Sequence, residues 1–299
     1  MRKNVFIGTA SWADPSLIKC GAFYPEDVKS PEGRLRFYAS QFPLVEVDSP
    51  YYAIPSADTT KKWAERTPEK FIFDVKAFRA LTTHQTQPKA LPKHIAESLP
   101  DKNRKTVYYR DLPNELKDAL WSEFRNALVP LNQAGKLGVI LFQFPPWFTP
   151  TPETRAHLEE CAQRMQGFML AIEFRNATWF GERGTAKTLD LLRDLNAAHV
   201  VVDEPQGFSS SIPAVWEATA PIAVLRLHGR NHGTWAKKGL KAASERFDYY
   251  YGEDELRELV APITSVAKKV QSVHVVVNTN RADQGPANAR LLQQALLSG

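Results

Sequence analysis

The sequence predicts an α/β fold, a single-domain TIM-like (β/α)8 barrel. Eight short apolar and β-branched runs alternate with helical patterns along the 299 residues. The runs are almost continuously apolar, which is typical of parallel strands that helices cover on both faces. Eight such units are the number that a closed barrel requires. An open, doubly wound sheet is the alternative, but no GxGxxG motif follows the first run.

The eight runs define the predicted strands, and helices are predicted between most of them. The strands cover residues 5–10, 44–49, 71–77, 137–144, 169–175, 200–204, 222–229 and 273–280. The helices cover residues 33–41, 58–66, 112–133, 153–166, 184–197, 253–269 and 286–297. Thr151-Pro152-Glu153 supplies a cap, a proline in the first turn and an early acid, and Gly285-Pro286 opens the last helix similarly. Residues 206–220 have a weaker helical pattern.

The chain is predicted to form one domain, residues 1–299, because no linker rich in Gly, Ser or Pro divides it. The connection after the third strand is unusual. It is predicted to hold an insertion at about 79–111, which is far longer than most loops between a strand and a helix. Such a segment either builds a site or is a plain surface insertion.

Composition limits the class of protein. No apolar stretch reaches the roughly 18 residues that a membrane span needs, and the N-terminus lacks a secretory pattern. Cys20 and Cys161 are the only cysteines and are isolated in sequence, so both are predicted to be reduced thiols. We therefore expect a cytoplasmic protein. The 38 basic and 33 acidic residues give a net charge of +5, and the positive charge is concentrated in residues 79–110 and 229–251.

Polar side chains occur late in the apolar runs, where barrels of this type carry their active sites. In strands two, three, five, seven and eight they are two residues apart, so each pair shares one side of its strand. We expect these groups to meet at the C-terminal mouth of the barrel, where the strands end. A satisfied polar network without catalysis is the alternative. The residues are Ser11, Trp12, Glu46, Asp48, Asp74, Lys76, Gln143, Glu173, Arg175, Asp203, Arg226, His228, Asn278 and Asn280.

Nine blocks of sequence carry a family resemblance. They are IGTASW (7–12), GAFYP (21–25), VEVDSPYYAIP (45–55), FIFDVKA with Thr83-His84, FQFPPWF (142–148), IEFRNATW (172–179), VVVDEP (200–205), LRLHGRN (225–231) and VVVNTNRADQGPANA (275–289). In this order they resemble the YecE-like family, also called domain of unknown function 72. The resemblance implies a TIM-barrel-like fold and no defined activity. The chain departs from the family pattern at Asp48-Ser49-Pro50, at Leu17-Ile18 and at Thr279, which separates two asparagines.

The strand-end residues predict an enzyme, either a hydrolase, a lyase or an isomerase. Its predicted substrate is small and bears a phosphate or a carboxylate, because arginine forks and helix N-termini suit such anions. The predicted catalytic residues are Glu46, Glu173, Asp203 and His228. The predicted substrate-binding residues are Trp12, Lys76, Gln143, Arg175, Arg226, Arg230, Asn278 and Asn280.

Two alternatives remain open at this point. A divalent metal could be held by Glu46, Asp48, Glu173 and Asp203, whereas zinc has less support because few histidines are placed for it. No nucleotide cofactor is expected. Nucleic acid could bind to the basic segments 79–110 and 229–251, which also contain aromatic residues, and a metal-dependent phosphodiesterase or nuclease would combine both alternatives.

Overall fold

The structure is a computed structural model that describes residues 3–182, 184–237, 239 and 245–298. Eight parallel strands form a closed barrel in which each strand pairs with the next and the last pairs with the first. This confirms the predicted fold class. The strands are β1 (Val5–Ala10), β2 (Leu44–Val47), β3 (Ile72–Lys76), β4 (Leu137–Gln143), β5 (Leu170–Glu173), β6 (Ala198–Asp203), β7 (Ile222–Leu227) and β8 (Ser272–Val277).

Helices surround the barrel, and all seven predicted helices are present. Those described are α1 (Pro15–Cys20), α2 (Pro31–Gln41), α3 (Ser49–Tyr52), α4 (Ala57–Glu65), α5 (Lys93–Glu97), α6 (Asn114–Gln133), α7 (Pro152–Arg164), α8 (Gly184–Asp194), α9 (His232–Trp235), α10 (Glu253–Ala267) and α11 (Gln284–Ser298). Thr151 caps α7 as predicted, accepting from the amide of Thr154. Residues 206–220 form no helix.

Most helix bounds differ from the prediction by one to three residues, and two of these differences have a clear local cause. The last helix begins at Gln284, two residues early, because proline is tolerated in a first turn whose amides have no partner within the helix. The helix α8 stops at Asp194 rather than at 197, and Asn196 follows it with a φ of 49°. This left-handed conformation ends the helix and turns the chain into β6.

The connection between β3 and α6 packs against the barrel. It contains α5, two 3-10 turns (Pro88–Ala90 and Tyr109–Asp111) and an antiparallel bridge between Thr86 and Val107. Its apolar side chains Leu81, Ile95 and Val107 are buried in the same core as the barrel strands. The segment predicted as an insertion therefore forms part of the hydrophobic core.

Two glycines permit close contacts between neighbouring strands. A Cβ atom on Gly8 would lie 1.9 Å from the carbonyl oxygen of Leu44 in β2. A Cβ atom on Gly138 would lie 2.2 Å from Oδ1 of Asp74. Any side chain at either position would collide with its neighbour, so glycine is required for the barrel to close.

Asp74 lies deeper in the barrel than the sequence predicts. Its Oδ1 accepts from the backbone amide of Val139 at 2.9 Å and lies 2.9 Å from Nδ1 of His274. His274 is near the start of β8, so this buried pair is far from the C-terminal mouth. A spacing of two residues fixes the side of a strand but not the depth within the barrel.

No helix within the described ranges is both long enough and apolar enough to cross a membrane.

Candidate functional site

A cavity of about 330 Å³ lies at the C-terminal mouth of the barrel. Its walls come from the ends of the strands and from the loops that follow them. Six of the predicted site residues line it, namely Asp48, Lys76, Gln143, Arg175, Asn278 and Asn280. The structure therefore brings together groups from strands two, three, four, five and eight.

Positive charge predominates in this cavity. Lys76, Arg175 and Arg246 line it, and Asp48 is the single carboxylate among its lining residues in the described part of the chain. The ammonium of Lys76 lies 3.3 Å from Oδ1 of Asp48 and 5.0 Å from the ring centre of Tyr51. The charge of Arg175 is met by Glu173 and Glu204 below it, so Lys76 and Arg246 against Asp48 leave an excess positive charge that favours an anionic ligand.

Arg175 is held rigidly at the floor of the cavity. Its Nε lies 2.6 Å from Oε1 of Glu173, and its Nη1 donates to Oε2 of Glu204 at 3.0 Å. Its Nη2 lies 2.9 Å from Nε2 of His228. Burial and the adjacent charge of Arg175 lower the pKa of His228 to about 3, so the imidazole is neutral. Arg175 thus has a fixed position, and its neighbour His228 adds no second positive charge.

A buried ion network lies beneath Arg175. Arg226 donates through Nε and Nη2 to the two oxygens of Glu46 at 2.8 and 2.5 Å. Its Nη1 donates to Oε2 of Glu173 at 2.5 Å. The side chains of Arg226, Glu46 and Glu173 are each at most 1% exposed. These residues contact one another and do not line the cavity.

The buried carboxyl groups outnumber the buried guanidinium groups. Among the described arginines, Arg175 and Arg226 form the ion pairs with Glu46, Glu173 and Glu204. Burial raises the pKa of Glu46 to about 7 and that of Glu204 to about 7. Burial alone would also raise the pKa of Glu173, but Arg175 and Arg226 outweigh it and hold this pKa well below its usual value. The network therefore holds a proton near neutral pH while Glu173 stays ionised.

Three predicted site residues lie away from the cavity. Asp203 accepts from Nη2 of Arg230 at 2.8 Å and from the hydroxyl of Tyr251 at 2.7 Å. Trp12 packs edge-on against Trp63 with a ring-centre distance of 5.6 Å. Asp203 and Arg230 thus form a separate ion pair, and Trp12 belongs to the core.

The four carboxylates predicted as metal ligands are each paired with a lysine or an arginine. These pairs are Glu46 and Glu173 with Arg226, Asp48 with Lys76, and Asp203 with Arg230. Within the described ranges no three His, Cys, Asp or Glu side chains are grouped as a metal site. The carboxylates do not converge on one point in this arrangement.

Several residues at the site were not among the sequence predictions. Tyr51, His84, Trp235 and Arg246 line the cavity, and Glu204 holds Arg175. Glu204 directly follows Asp203, the last residue of β6. Beyond the strand end, the two-residue alternation no longer tells on which side a residue lies. The loop residues have no period at all, so only the family block containing Thr83-His84 could have pointed to His84.

His84 hydrogen-bonds to Thr82. Its Nδ1 lies 2.9 Å from the Thr82 hydroxyl, which also lies 3.1 Å from the carbonyl oxygen of Arg79. With that hydroxyl donating to the carbonyl, Nδ1 of His84 carries its proton and Nε2 accepts one. Burial, with Lys76 and Arg79 nearby, lowers the pKa of His84 to about 3. Thr83 beside it has a φ of 62°, a strained conformation for a β-branched residue.

The aromatic residues of the predicted basic segments are mostly packed inside. Tyr109, Trp235 and Tyr251 are buried, whereas Tyr250 is 54% exposed. Lys102, Arg104 and Lys105 are exposed on the surface. Lys238 and Lys241 of the second basic segment lie outside the described residues.

The chain matches known proteins over nearly its whole length. The family model "Protein of unknown function DUF72" matches residues 6–298, which confirms the predicted resemblance. The UPF0759 protein YunF of Bacillus subtilis (strain 168) is 32% identical over 295 residues, covering 98% of this chain and 94% of the relative.

Solved structures of this kind share the fold. A DUF72 family protein from Thermotoga maritima MSB8 is 27% identical with a TM-score of 0.76, and covers 99% of this chain and 100% of its own. A DUF72 family protein from Enterococcus faecalis V583 is 24% identical with a TM-score of 0.80, covering 98% of this chain and 95% of its own.

Proposed function

The chain belongs to the DUF72 family, and we propose that it is an enzyme acting on a small phosphate- or carboxylate-bearing substrate in the cavity at the barrel mouth. The observation that carries this proposal is the excess of positive charge there. Lys76 and Arg246 line the cavity against the single carboxylate of Asp48 among the described lining residues, while the charge of Arg175, which also lines it, is met by Glu173 and Glu204. A bound anion would neutralise this excess.

Unpaired polar atoms in the cavity wall support a polar ligand. Trp235 Nε1, Arg246 Nε and Asn280 Oδ1 are buried and have no hydrogen-bond partner among the residues that the structure describes. Leaving such an atom unpaired costs about 1–3 kcal/mol, so native proteins pair most of them. These atoms have almost no accessible surface, so an anion in the cavity would pair with them after the side chains shift toward it.

His84 is the acid–base group in this proposal. Its unprotonated Nε2 accepts a proton from the substrate or from an attacking water, and the cations stabilise the negative charge that develops. Burial, and then the charges of Lys76 and Arg79, lower the pKa of His84 to about 3. A bound anion offsets the two charges and so raises this pKa, which makes His84 a stronger base. A hydrolase, a lyase or an isomerase would each use such a transfer.

The predicted acids support this site from below. Glu173 and Glu204 fix Arg175, and Arg226 together with Glu46 holds Glu173 in turn, so these carboxylates position Arg175 for the anion. Their burial separates them from the substrate. His228 completes the surrounding hydrogen bonds through Glu173 and Asn278, whereas Asp203 stays in its separate ion pair with Arg230. Fixed charges of this kind need no reorganisation when the substrate reacts.

Calorimetric titration tests the proposal with inorganic phosphate, sugar phosphates and small carboxylates as ligands. Lys76→Gln and Arg246→Gln should each weaken binding about tenfold, since a hydrogen bond to a charged group is worth about 1.5–3 kcal/mol. Lys237→Gln is the matched control, because this exposed lysine lies in the same segment but does not line the cavity. A folded protein that binds none of these anions, or an equal loss in the control, would overturn the proposal.

Titration with short oligonucleotides tests the alternative of nucleic-acid binding. The alternative of nucleic-acid binding predicts an affinity that falls steeply with salt and that is lost when Lys102, Arg104 and Lys105 are neutralised. These three lysine and arginine side chains are exposed and remote from the cavity lining.

A further inference from the structure

A second cavity, of about 900 Å³, lies beside the first one. It is formed by the connection between β3 and α6, by the loop after β4 and by the start of α7. Tyr108, Tyr109, Trp147 and Phe148 supply its aromatic lining. A concave, largely aromatic surface with a few polar groups is typical of a small-molecule site.

The two cavities share one wall. His84 and Pro146 line the first cavity, while Thr83 and Trp147, their neighbours in sequence, line the second. Within the wall, Phe144 of the first cavity stacks on Phe148 of the second with ring centres 4.0 Å apart. The wall therefore contains two stacked aromatic rings, and Trp147 and His84 lie beside it, where one ligand could contact both cavities.

Trp147 is placed at this rim with its indole in solvent. It is 61% exposed, and its ring centre lies 5.9 Å from that of His84 at an interplanar angle of 70°. An exposed indole at the border of two cavities offers a flat surface on which an aromatic ligand can stack. Thr83 beside it has a buried Oγ1 without a partner among the described residues, and its φ is 62°. Strain and an unpaired hydroxyl at one point both indicate a ligand site.

The cations of the second cavity already have partners. They are Arg110, Lys117 and His157, against the carboxylates of Glu153 and Glu160. Burial alone would lower the pKa of His157, but its contacts with Cys161 and Glu160 outweigh burial and raise this pKa to about 10, so it is a cation 3.6 Å from Glu160. Arg110 and Lys117 lie over the rings of Tyr108 and Tyr109, 5.4 and 5.2 Å from the ring centres. An aromatic cavity whose cations are already paired favours an uncharged flat group.

We propose that the substrate carries a neutral aromatic or heteroaromatic group that is linked to its anionic group. The aromatic group lies in the second cavity and stacks on Trp147. This inference rests on the proposed function, since the anion in the first cavity sets the position of the ring. The ligand class is then an aromatic compound with a phosphate or a carboxylate a short linker away.

Two matched ligand pairs test this inference by calorimetric titration. The pairs are ribose 5-phosphate with adenosine 5′-monophosphate, and propanoate with 3-phenylpropanoate. In each pair the second ligand adds an aromatic ring to the same anion. We expect the aromatic member of at least one pair to bind about tenfold more tightly, which is the usual effect of one stacked ring.

Trp147→Ala should remove this advantage and leave the affinity for the non-aromatic member unchanged, while Trp147→Phe should restore most of it. Tyr250→Ala is the control, because Tyr250 is also exposed but lines neither cavity. Equal affinities within both pairs, or an equal loss for both members in Trp147→Ala, would overturn the inference and leave the proposed function standing. Binding of neutral adenosine through Trp147, with no binding of any anion alone, would instead overturn the proposed function. No binding of any ligand would overturn both.

Discussion

Replacing Arg226 with methionine should destabilise the protein strongly and in a pH-dependent way. Arg226 is fully buried and pairs with both Glu46 and Glu173. Without it, Glu173 keeps its contact with Arg175, but Glu46 has no remaining cation at hydrogen-bond distance among the described residues. Removing one partner of a buried ion pair costs about 3–5 kcal/mol, and we expect a loss of that size in the free energy of unfolding at pH 7.

The pH dependence follows from the carboxyl groups. The pKa of Glu46 in the folded protein is raised to about 7, above its unfolded value. Because the folded state binds this proton more tightly, the free energy of unfolding falls as pH rises toward 7. Without Arg226 its folded pKa rises further, and the folded variant retains a proton that the wild type releases. The deficit of the variant should therefore grow by about 1 kcal/mol between pH 7 and pH 8.

Urea denaturation followed by circular dichroism at pH 5, 7 and 8 measures these differences. Arg193→Met is the matched control, because Arg193 forms an exposed ion pair with Asp190 at 2.7 Å, for which a loss below about 1 kcal/mol is expected at every pH. Arg226→Lys keeps the charge but loses the paired hydrogen bonds, and should fall between the two. A cost for Arg226→Met that matches the control, or that shrinks as pH rises, would refute the assignment of Arg226 as the balancing charge.

Three further substitutions or measurements examine other parts of the molecule. Gly8→Ala should cost more than about 4 kcal/mol or abolish soluble expression, because its Cβ would lie 1.9 Å from a backbone oxygen of β2; Gly181→Ala, with open space around it, should change stability by less than about 1 kcal/mol. Lys136→Met should lower the unfolding free energy by about 2 kcal/mol, because its ammonium donates to the last carbonyls near α4 at 2.5 and 2.7 Å, whereas exposed Lys61→Met should have little effect. Nuclear magnetic resonance should show His84 neutral down to about pH 4 in the ligand-free protein, since its pKa is about 3; a titration near pH 6.5 would contradict the buried geometry.

The repeating pattern of the sequence predicted the barrel and the meeting of distant residues. Glu173 and Arg175 are two residues apart, and in the structure their side chains are in contact at 2.6 Å. Arg226, far along the chain, also reaches Glu173. The two-residue period of a strand sets the side on which a residue lies, and the alternation of strands and helices sets the order around the barrel. Both follow from local pattern and were therefore predictable.

Depth and loop structure were not predictable in the same way. Glu46 lies beneath the cavity while Asp48, on the same side of the same segment, lines it, and no sequence pattern distinguishes the two depths. His84 and Arg246 reach the cavity from irregular segments, whose path depends on tertiary contacts rather than on a period. The charge of the cavity thus depends on residues that only the folded chain brings together.

The closure of the barrel between its first and last strands affects how the protein matures. Five residues of β1, from Val5 to Thr9, pair with residues of β8, from Val273 to Val277. During synthesis β1 therefore keeps one edge without its final neighbour until nearly the whole chain has left the ribosome. Asn278 and Asn280 reach the cavity only after that step, so a nascent or C-terminally truncated chain should depend on chaperones and should not bind ligand.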